Sequence, residues 1–193
     1  MVPRRKFLAS SSFVAVCLAG CNASTTTESG KEEPRYGVIL EDSPNHPLKL
    51  EVEVIQPFAQ LPDEPLRLFV SIDNVTDEKL RYSEQRRTTF LNASDQGFTL
   101  AGSGRPHTFN ETRNVWVADS LIQSTSMWSI GEILPGDTHS EERILIGKDM
   151  NDTPDTVPEE FQFNTSFKVE RSNTPNWTDA TSYEWGFTLR HEE

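Results

Sequence analysis

The sequence predicts an all-β domain, an antiparallel β-sandwich of about seven to nine strands, with a β-barrel as the alternative. Apolar and polar residues alternate with a period of two in several segments, which is typical of strands that bury one face. Turn-forming Gly, Pro, Asn and Asp separate these segments at short intervals across residues 37–193. No window of about 11 residues or more in this region keeps the apolar spacing of an amphipathic helix.

The first half of the domain contains two clear strands and the start of a third. Segment 48–54 alternates Leu and Val with Lys and Glu, so one face is apolar and the other is charged. Segment 66–72 repeats this alternation, and the polar segment 73–78 predicts a turn. The alternation resumes at Leu80 and Tyr82. We also predict shorter strands at 87–92, 97–101, 114–118 and 126–130.

The second half of the domain ends in the clearest strands of the chain. Leu-Pro-Gly-Asp at 134–137 predicts a turn that leads into a strand at 139–146. In segments 161–169 and 183–189 every second residue is apolar or aromatic, apart from Thr165. We therefore expect a closing hairpin that buries this face. The tryptophans expected in the core are Trp116, Trp128 and Trp185.

Residues 1–20 have the pattern of a signal peptide, with basic residues before a short apolar run. A transmembrane helix needs about 20 apolar residues, and this run is shorter. Arg4 and Arg5, placed before Phe7 and Leu8, resemble the twin-arginine export signal. That resemblance implies export of a protein that has already folded.

Leu-Ala-Gly-Cys at 18–21 resembles a lipoprotein box, which implies cleavage before Cys21 and attachment of lipid to its thiol. The alternative is an ordinary signal peptide in which this cysteine carries no lipid. Residues 21–36 are predicted to be the lipidated cysteine and a flexible linker, because the segment after Cys21 is almost wholly small and polar. We therefore expect a domain at 37–193, held extracellularly at the outer face of the cytoplasmic membrane by two acyl chains.

The charge of the chain excludes some classes of partner. Removal of residues 1–20 leaves 15 basic and 30 acidic residues. This balance is wrong for a nucleic-acid-binding protein and for adsorption to anionic lipid through basic residues. The excess of acidic residues, with Arg more frequent than Lys, resembles the proteins of extremely halophilic archaea. The alternative is a secreted protein that is simply acidic.

The order of the motifs resembles a known group of domains. An alternating strand is followed by Asp-Asn-Val-Thr-Asp-Glu at 73–78, Leu-Pro-Gly-Asp-Thr at 134–138 and an aromatic closing hairpin. In this order the chain resembles the immunoglobulin-like domains of haloarchaeal lipoproteins and, more distantly, the bacterial intracellular proteinase inhibitor family. The resemblance covers about residues 48–190 and implies an immunoglobulin-like sandwich. It implies no activity.

Motifs for catalysis or metal binding are few, and we predict no catalytic residue, cofactor or native metal site. The glycines at 131 and 136 have the spacing of a phosphate-binding loop, but Asp137 replaces the required Lys. The adjacent glutamates at 141–142 and 159–160 point to opposite faces of a strand. The acidic loop 149–155 is expected to be solvated, with a weak cation site as the alternative. The four histidines are scattered along the chain, at His46, His107, His139 and His191.

Two features suggest contacts at the cell surface. Trp177 lies in a polar hairpin tip and is the predicted interaction residue. The acceptor motif Asn-X-Ser/Thr occurs seven times, whereas the composition predicts about two by chance. The predicted glycosylation candidates are Asn74, Asn92, Asn110, Asn151 and Asn176. Asn164 is a poorer candidate because it lies within a predicted strand, and Asn22 belongs to the linker.

These observations together predict a membrane-anchored extracellular lipoprotein that acts as a non-catalytic binding or structural module. Its expected partner is a cell-surface protein or glycan layer, contacted through loops at the end of the sandwich. An exported hydrolase and a proteinase inhibitor remain the alternatives.

Overall fold

The computed structural model describes residues 34–40, 46–84, 89–122, 129–171, 177 and 179–192, which form a β-sandwich of two antiparallel sheets. Every regular element in these residues is a strand, and no helix occurs among them. The predicted all-β sandwich is therefore confirmed. The described residues contain twelve strands rather than about seven to nine, because several short strands were not expected.

The two sheets contain five and seven strands. In chain order the strands are β1 (Tyr36–Leu40), β2 (Leu48–Gln56), β3 (Arg67–Asn74), β4 (Leu80–Glu84), β5 (Ser94–Asp95), β6 (Phe98–Gly102), β7 (His107–Asn110), β8 (Val115–Ala118), β9 (Ser129–Ile133), β10 (Thr138–Gly147), β11 (Glu160–Arg171) and β12 (Thr181–His191). The five-stranded sheet has the order β1-β12-β11-β4-β9, and the seven-stranded sheet has the order β2-β3-β10-β6-β5. The hairpin of β7 and β8 joins the larger sheet where Val117 meets Gly147.

The main core lies between the sheets, where the alternating faces of their strands meet. Strands β11 and β12 contribute the aromatic side chains Phe161, Phe163, Phe167, Trp185 and Phe187, all at most 3% exposed. Strand β3 contributes Leu68, Val70 and Ile72 from the other sheet. The predicted closing hairpin therefore supplies much of the core, and Trp185 is buried as expected.

A second, smaller cluster covers the outer face of the seven-stranded sheet. Its buried members are Ala101, Ala118, Ile144 and Ile146. Trp116 packs against this cluster, and its indole Nε1 donates a hydrogen bond to the Leu61 carbonyl at 2.8 Å. Because both faces of β10 are covered here, its residues 143–147 are buried without alternation. Trp116 is only partly buried and packs on this smaller cluster, whereas it was expected in the main core. Trp128 lies outside the described residues.

Several predicted elements need correction. Segment 87–92 is not a strand where it is described, since residues 89–92 form a turn in which Phe90 and Asn92 have a φ of +60°. Of segment 126–130 only the last two residues are described, and they belong to β9. Strands β1, β5 and β7 were not predicted. Strand β1 also begins at Tyr36, which is 1% exposed, so the predicted linker at 21–36 extends one residue too far.

The strand registers define two ends of the sandwich. At the N-terminal end, Tyr36 pairs with His191 and donates its backbone N–H to the Pro57 carbonyl at 2.9 Å. Strand β10 also ends there, and the 148–159 loop follows it. At the far end, β3, β9 and β11 end, and β4, β10 and β12 begin. Residues 46–47, 75–79, 134–137 and 177 lie at this end; we call them the far-end loops.

Candidate interaction surface

Backbone hydrogen bonds hold the far-end loops against one another. The N–H of Val75 donates to the Pro47 carbonyl at 3.3 Å, and the N–H of Asn74 donates to the Asp137 carbonyl at 3.1 Å. The N–H of Gly136 returns a bond to the Asn74 carbonyl at 3.1 Å. Gly136 has a φ of +74°, a conformation that glycine adopts without strain, and this explains the Pro-Gly turn. The surface at this end is thus fixed by backbone contacts.

The side chain of Asn74 connects the same loops from inside. It is 2% exposed, and its Nδ2 donates to the carbonyls of Glu78 at 2.8 Å and Ile133 at 3.1 Å. Its Oδ1 accepts from the backbone N–H of Thr76 at 3.0 Å and from the Thr76 hydroxyl at 2.7 Å. Both amide hydrogens are therefore engaged in the interior. In the folded domain the Asn74 amide is therefore not presented at the surface, whereas its glycosylation motif had predicted an accessible side chain.

Exposed apolar side chains and ion pairs both occur at the far end of the sandwich. Val75 is 61% exposed and Leu134 is 51% exposed, on two loops that the Asn74 contacts join. Around them, Arg171 pairs with Glu78 at 2.8 Å, and Lys79 pairs with Glu132 at 2.6 Å. The hydrogen bond from Lys79 holds the pKa of the Glu132 carboxyl below its usual value. The end of the sandwich therefore combines exposed apolar side chains with charged side chains.

Trp177, the predicted interaction residue, is placed by a contact that sequence reasoning missed. The Arg81 guanidinium lies 4.8 Å from the centroid of its indole ring, within cation–π range. Arg81 also pairs with Glu170 at 2.7 Å, and the side chain of Glu170 is fully buried on the outer side of β11. From the alternation of β11, Glu170 would be expected on the polar, solvent-facing side of the strand. Its ion pair with Arg81 follows from the register in which β11 pairs with β4, and a local sequence pattern does not contain that register. Trp177 is partly exposed, and its ring packs against Arg81.

His46 belongs to an aromatic cluster at the same end. Its ring packs against Phe167, Tyr183 and Trp185, with ring centroids 4.6 to 5.8 Å apart. The indole Nε1 of Trp185 donates a hydrogen bond to Nε2 of His46, which requires that nitrogen to be unprotonated. Burial accordingly lowers the pKa of His46 from its ordinary value. The side chain of His46 therefore packs in the core at the far end of the sandwich.

Polar side chains of β4 and β10 also contact each other between the two sheets. The Tyr82 hydroxyl is 3.0 Å from Nδ1 of His139, and the Tyr82 ring covers Gly131. Further along β10, Arg143 is 2% exposed and donates to the Thr89 carbonyl at 2.8 Å and to the Thr89 hydroxyl at 2.6 Å. The hydrogen bonds of Arg143 thus fasten Thr89, at the start of the 89–92 turn, to β10. The close packing of Tyr82 gives a structural reason for glycine at position 131.

The acidic loop 149–155 is organised by an arginine. Nε of Arg113 pairs with Asp155 at 2.9 Å, and its NH1 donates to the Met150 and Thr153 carbonyls at 2.7 and 3.1 Å. Oδ1 of Asp149 accepts backbone N–H groups of residues 151 and 152, and those bonds lower the pKa of its carboxyl. Within the described residues, no three His, Cys, Asp or Glu side chains are grouped to hold a metal ion. The positive charge that faces this acidic loop is therefore Arg113, which lies between β7 and β8.

The remaining predicted sites fall in three groups. Those outside the described residues are Arg4, Arg5, Phe7, Leu8, Cys21, Asn22 and Asn176. Asn92 and Asn110 are partly exposed, and Asn151 and Asn164 are exposed. The histidines lie on separate elements, where His107 packs against Trp116 and His191 against Tyr36. In the part of the chain that the structure describes, no helix has the length and apolar character to cross a bilayer.

Comparison with known proteins adds no relative to this picture. No protein-family model matches the chain, and no curated protein matches it either.

Proposed function

We propose that this protein is a lipid-anchored extracellular module that binds another component of the cell surface and has no catalytic role. The observation that carries the proposal is the position of Cys21 in its lipoprotein box, fifteen residues before β1 begins at Tyr36. A chain of that length reaches about 50 Å when fully extended. A lipid on Cys21 would therefore leave the domain free to stand off the membrane.

The geometry of the domain supports a binding role for the far-end loops. The anchored chain enters at the N-terminal end, where Tyr36 lies beside His191. The far-end loops lie at the other ends of the same strands, so a partner reaches them without displacing the anchor. Val75 and Leu134 supply exposed apolar contacts, and the partner that suits them is a surface protein or a glycan layer.

The anchor is tested by replacing each cysteine in turn. Cys21→Ser removes the predicted lipid attachment and should move the protein from the membrane fraction into the medium. Cys17→Ser is a matched control, since it changes the only other cysteine and should leave the protein on the membrane. Equal membrane retention of both variants would contradict the lipid anchor.

The binding surface is tested by cross-linking in intact cells at growth salt, followed by purification of the full chain. The Val75→Asp/Leu134→Asp variant should lose the cross-linked partner that the unchanged protein captures. Ile55→Asp is the control, because Ile55 is 43% exposed but lies near the C-terminal end of β2, at the opposite end of the sandwich from the far-end loops. The proposal is wrong if the double variant captures the same partner to the same extent, or if the unchanged protein captures none.

A further inference from the structure

The structure separates the five acceptor motifs that lie wholly within the described residues, at Asn74, Asn92, Asn110, Asn151 and Asn164. The motif Asn-X-Ser/Thr requires an asparagine amide and a hydroxyl two residues later. An enzyme that modifies a folded domain must reach both groups together. The local geometry of each motif therefore decides which asparagine can accept a glycan.

Two of the motifs have a buried member that is bound to other groups. Asn74 uses both amide hydrogens in the interior, as described above. Asn151 is exposed, but Thr153 is 4% exposed and its hydroxyl donates to the Asp149 carbonyl. Thr153 also packs so closely on Gly147 that a Cβ there would lie 2.2 Å from the Thr153 hydroxyl oxygen. Neither motif presents its amide and its hydroxyl together.

Two further motifs are held within the sheets. Asn164 and Ser166 point outward, but the residue between them, Thr165, is 6% exposed, and all three pair with β12. Asn92 is followed by Ala93, which is 1% exposed and exchanges backbone hydrogen bonds with its surroundings. Lifting either motif into an enzyme would pull a buried residue out of the sandwich.

The motif at Asn110 differs from these four. Asn110 is the last residue of β7, and Glu111 and Thr112 are exposed in the turn that leads to β8. Oδ1 of Asn110 accepts the backbone N–H of Arg113 at 3.1 Å, while its Nδ2 makes only a 3.5 Å contact with the Met150 sulfur. A thioether is a weak acceptor, so this contact is readily replaced. The Asn110 amide is thus partly exposed, and the Thr112 hydroxyl lies on an exposed residue of the same hairpin.

We propose that Asn110 is the N-glycosylation site of this part of the folded domain. The inference rests on the proposed extracellular location and on export of a folded chain. The glycan donor is a lipid-linked glycosyl phosphate. The Asn110 Nδ2 forms a bond to the anomeric carbon and loses one proton. The bond from that carbon to the phosphate oxygen breaks, and the lipid phosphate leaves with the electron pair.

The position of Asn110 is compatible with the proposed binding surface. Its neighbour Met150 lies in the loop that follows β10 at the N-terminal end of the sandwich. A glycan attached there would leave the far-end loops uncovered. Modification and partner binding therefore do not compete for the same surface.

The experiment is glycopeptide mass spectrometry of the full chain, purified from cells that naturally make it. A glycan mass on the Asn110 peptide is expected, and it should be lost in Asn110→Gln and Thr112→Val. Thr112→Ser keeps the hydroxyl and should keep the glycan, so this pair tests the motif without altering Asn110. Asn164→Gln is the matched control and should retain the Asn110 glycan.

Protease treatment of intact cells separates the two proposals. A domain that is cleaved from outside and carries no glycan at Asn110 overturns the site but leaves the location intact. A glycan on Asn74 or Asn151 also overturns the site, because those motifs are reached only before folding. A domain that is protected inside the cell and unglycosylated contradicts both proposals.

Discussion

The amide of Asn74 contacts two neighbouring segments at the far end of the sandwich, the 75–79 loop and the end of β9. Residues Thr76, Glu78 and Ile133 supply its partners, and all of its donors and its acceptor oxygen are used. A short amide side chain can do this because it carries two donors and one acceptor on a rigid group. Asn74 also begins a glycosylation motif, so from the sequence alone it would be expected at the surface, whereas it is buried.

Replacing Asn74 should therefore destabilise the domain. Asn74→Ala leaves the Glu78 and Ile133 carbonyls and the Thr76 N–H without their partner, and each loss of this kind costs about 1–3 kcal/mol. We expect the free energy of unfolding in urea at constant salt to fall by about 2–4 kcal/mol. Asn164→Ala, on the exposed face of β11, should change it by about 0.5 kcal/mol or less. Similar values for the two variants would contradict this role of Asn74.

His46 and His191 give the stability a pH dependence of defined sign. Burial lowers the pKa of both in the folded state, so the unfolded chain binds more protons below its ordinary histidine pKa of about 6.5. Their contribution is complete above that pH and is lost as the pH falls through it towards the folded-state pKa. The aromatic rings of Phe167, Tyr183 and Trp185 pack on His46 and account for its burial.

The measurement is the free energy of unfolding at pH 7.5 and pH 5.5. It should be lower at pH 5.5 for the unchanged protein, and His46→Gln should reduce this difference without removing it, since His191 remains. His107→Gln is the control, because His107 lies outside the aromatic cluster and contacts Trp116. If the free energy of unfolding changes as much between the two pH values in His46→Gln as in the unchanged protein, protonation of His46 does not contribute to the pH dependence.

At the scale of the elements, alternation predicted the strands that have one buried and one solvated face. Strands β2, β3, β11 and β12 have this environment, and their predicted ranges are confirmed to within a few residues. Alternation fails where the environment differs. Strand β10 is covered on both faces near Ile144; the turn at 134–137 predicted it at 139–146, which is confirmed to within one residue at each end. Strand β1 is a short strand that depends on its pairing with β12, and it was not predicted.

The candidate surface was predictable only in outline. A tryptophan in a polar hairpin indicated Trp177, but its contact with Arg81 depends on the way β4 lies beside β11. Similarly, Glu170 follows the polar phase of its strand and is nevertheless buried. Strand register between distant segments of the chain is set by tertiary packing, and a local pattern does not contain it.

Gly131 tests the packing of β9 on β4. A Cβ at this position would lie 2.2 Å from Tyr82 Cζ, so alanine must displace the ring and its contact with His139. We expect Gly131→Ala to lower the free energy of unfolding by about 1–3 kcal/mol, the usual cost of overpacking. Gly104→Ala is the control because nothing lies within 4 Å of a Cβ there. If both variants unfold at the same urea concentration, the close approach of Tyr82 is wrong.

At the scale of the whole molecule, the chain after residue 20 carries twice as many acidic as basic residues. Several of its ion pairs involve exposed groups, including those of Arg35, Lys49 and Arg190, and such pairs add little stability. The net repulsion among the carboxylates therefore opposes folding at low salt. Screening shortens the Debye length from about 10 Å at 0.1 M to about 3 Å at 1 M, which removes most of this repulsion.

The expected result is a domain that needs salt to fold. Its near-UV circular dichroism should diminish on dialysis from molar to low salt and return when salt is restored. To distinguish screening from the general effect of salt on apolar burial, four exposed acidic residues are neutralised together, in the variant Asp77→Asn/Glu111→Gln/Asp137→Asn/Glu184→Gln. This variant should fold at a lower salt concentration than the unchanged protein, because less repulsion remains to be screened. An identical salt midpoint would mean that salt acts through burial of apolar surface, and the acidic surface would then have no part in folding.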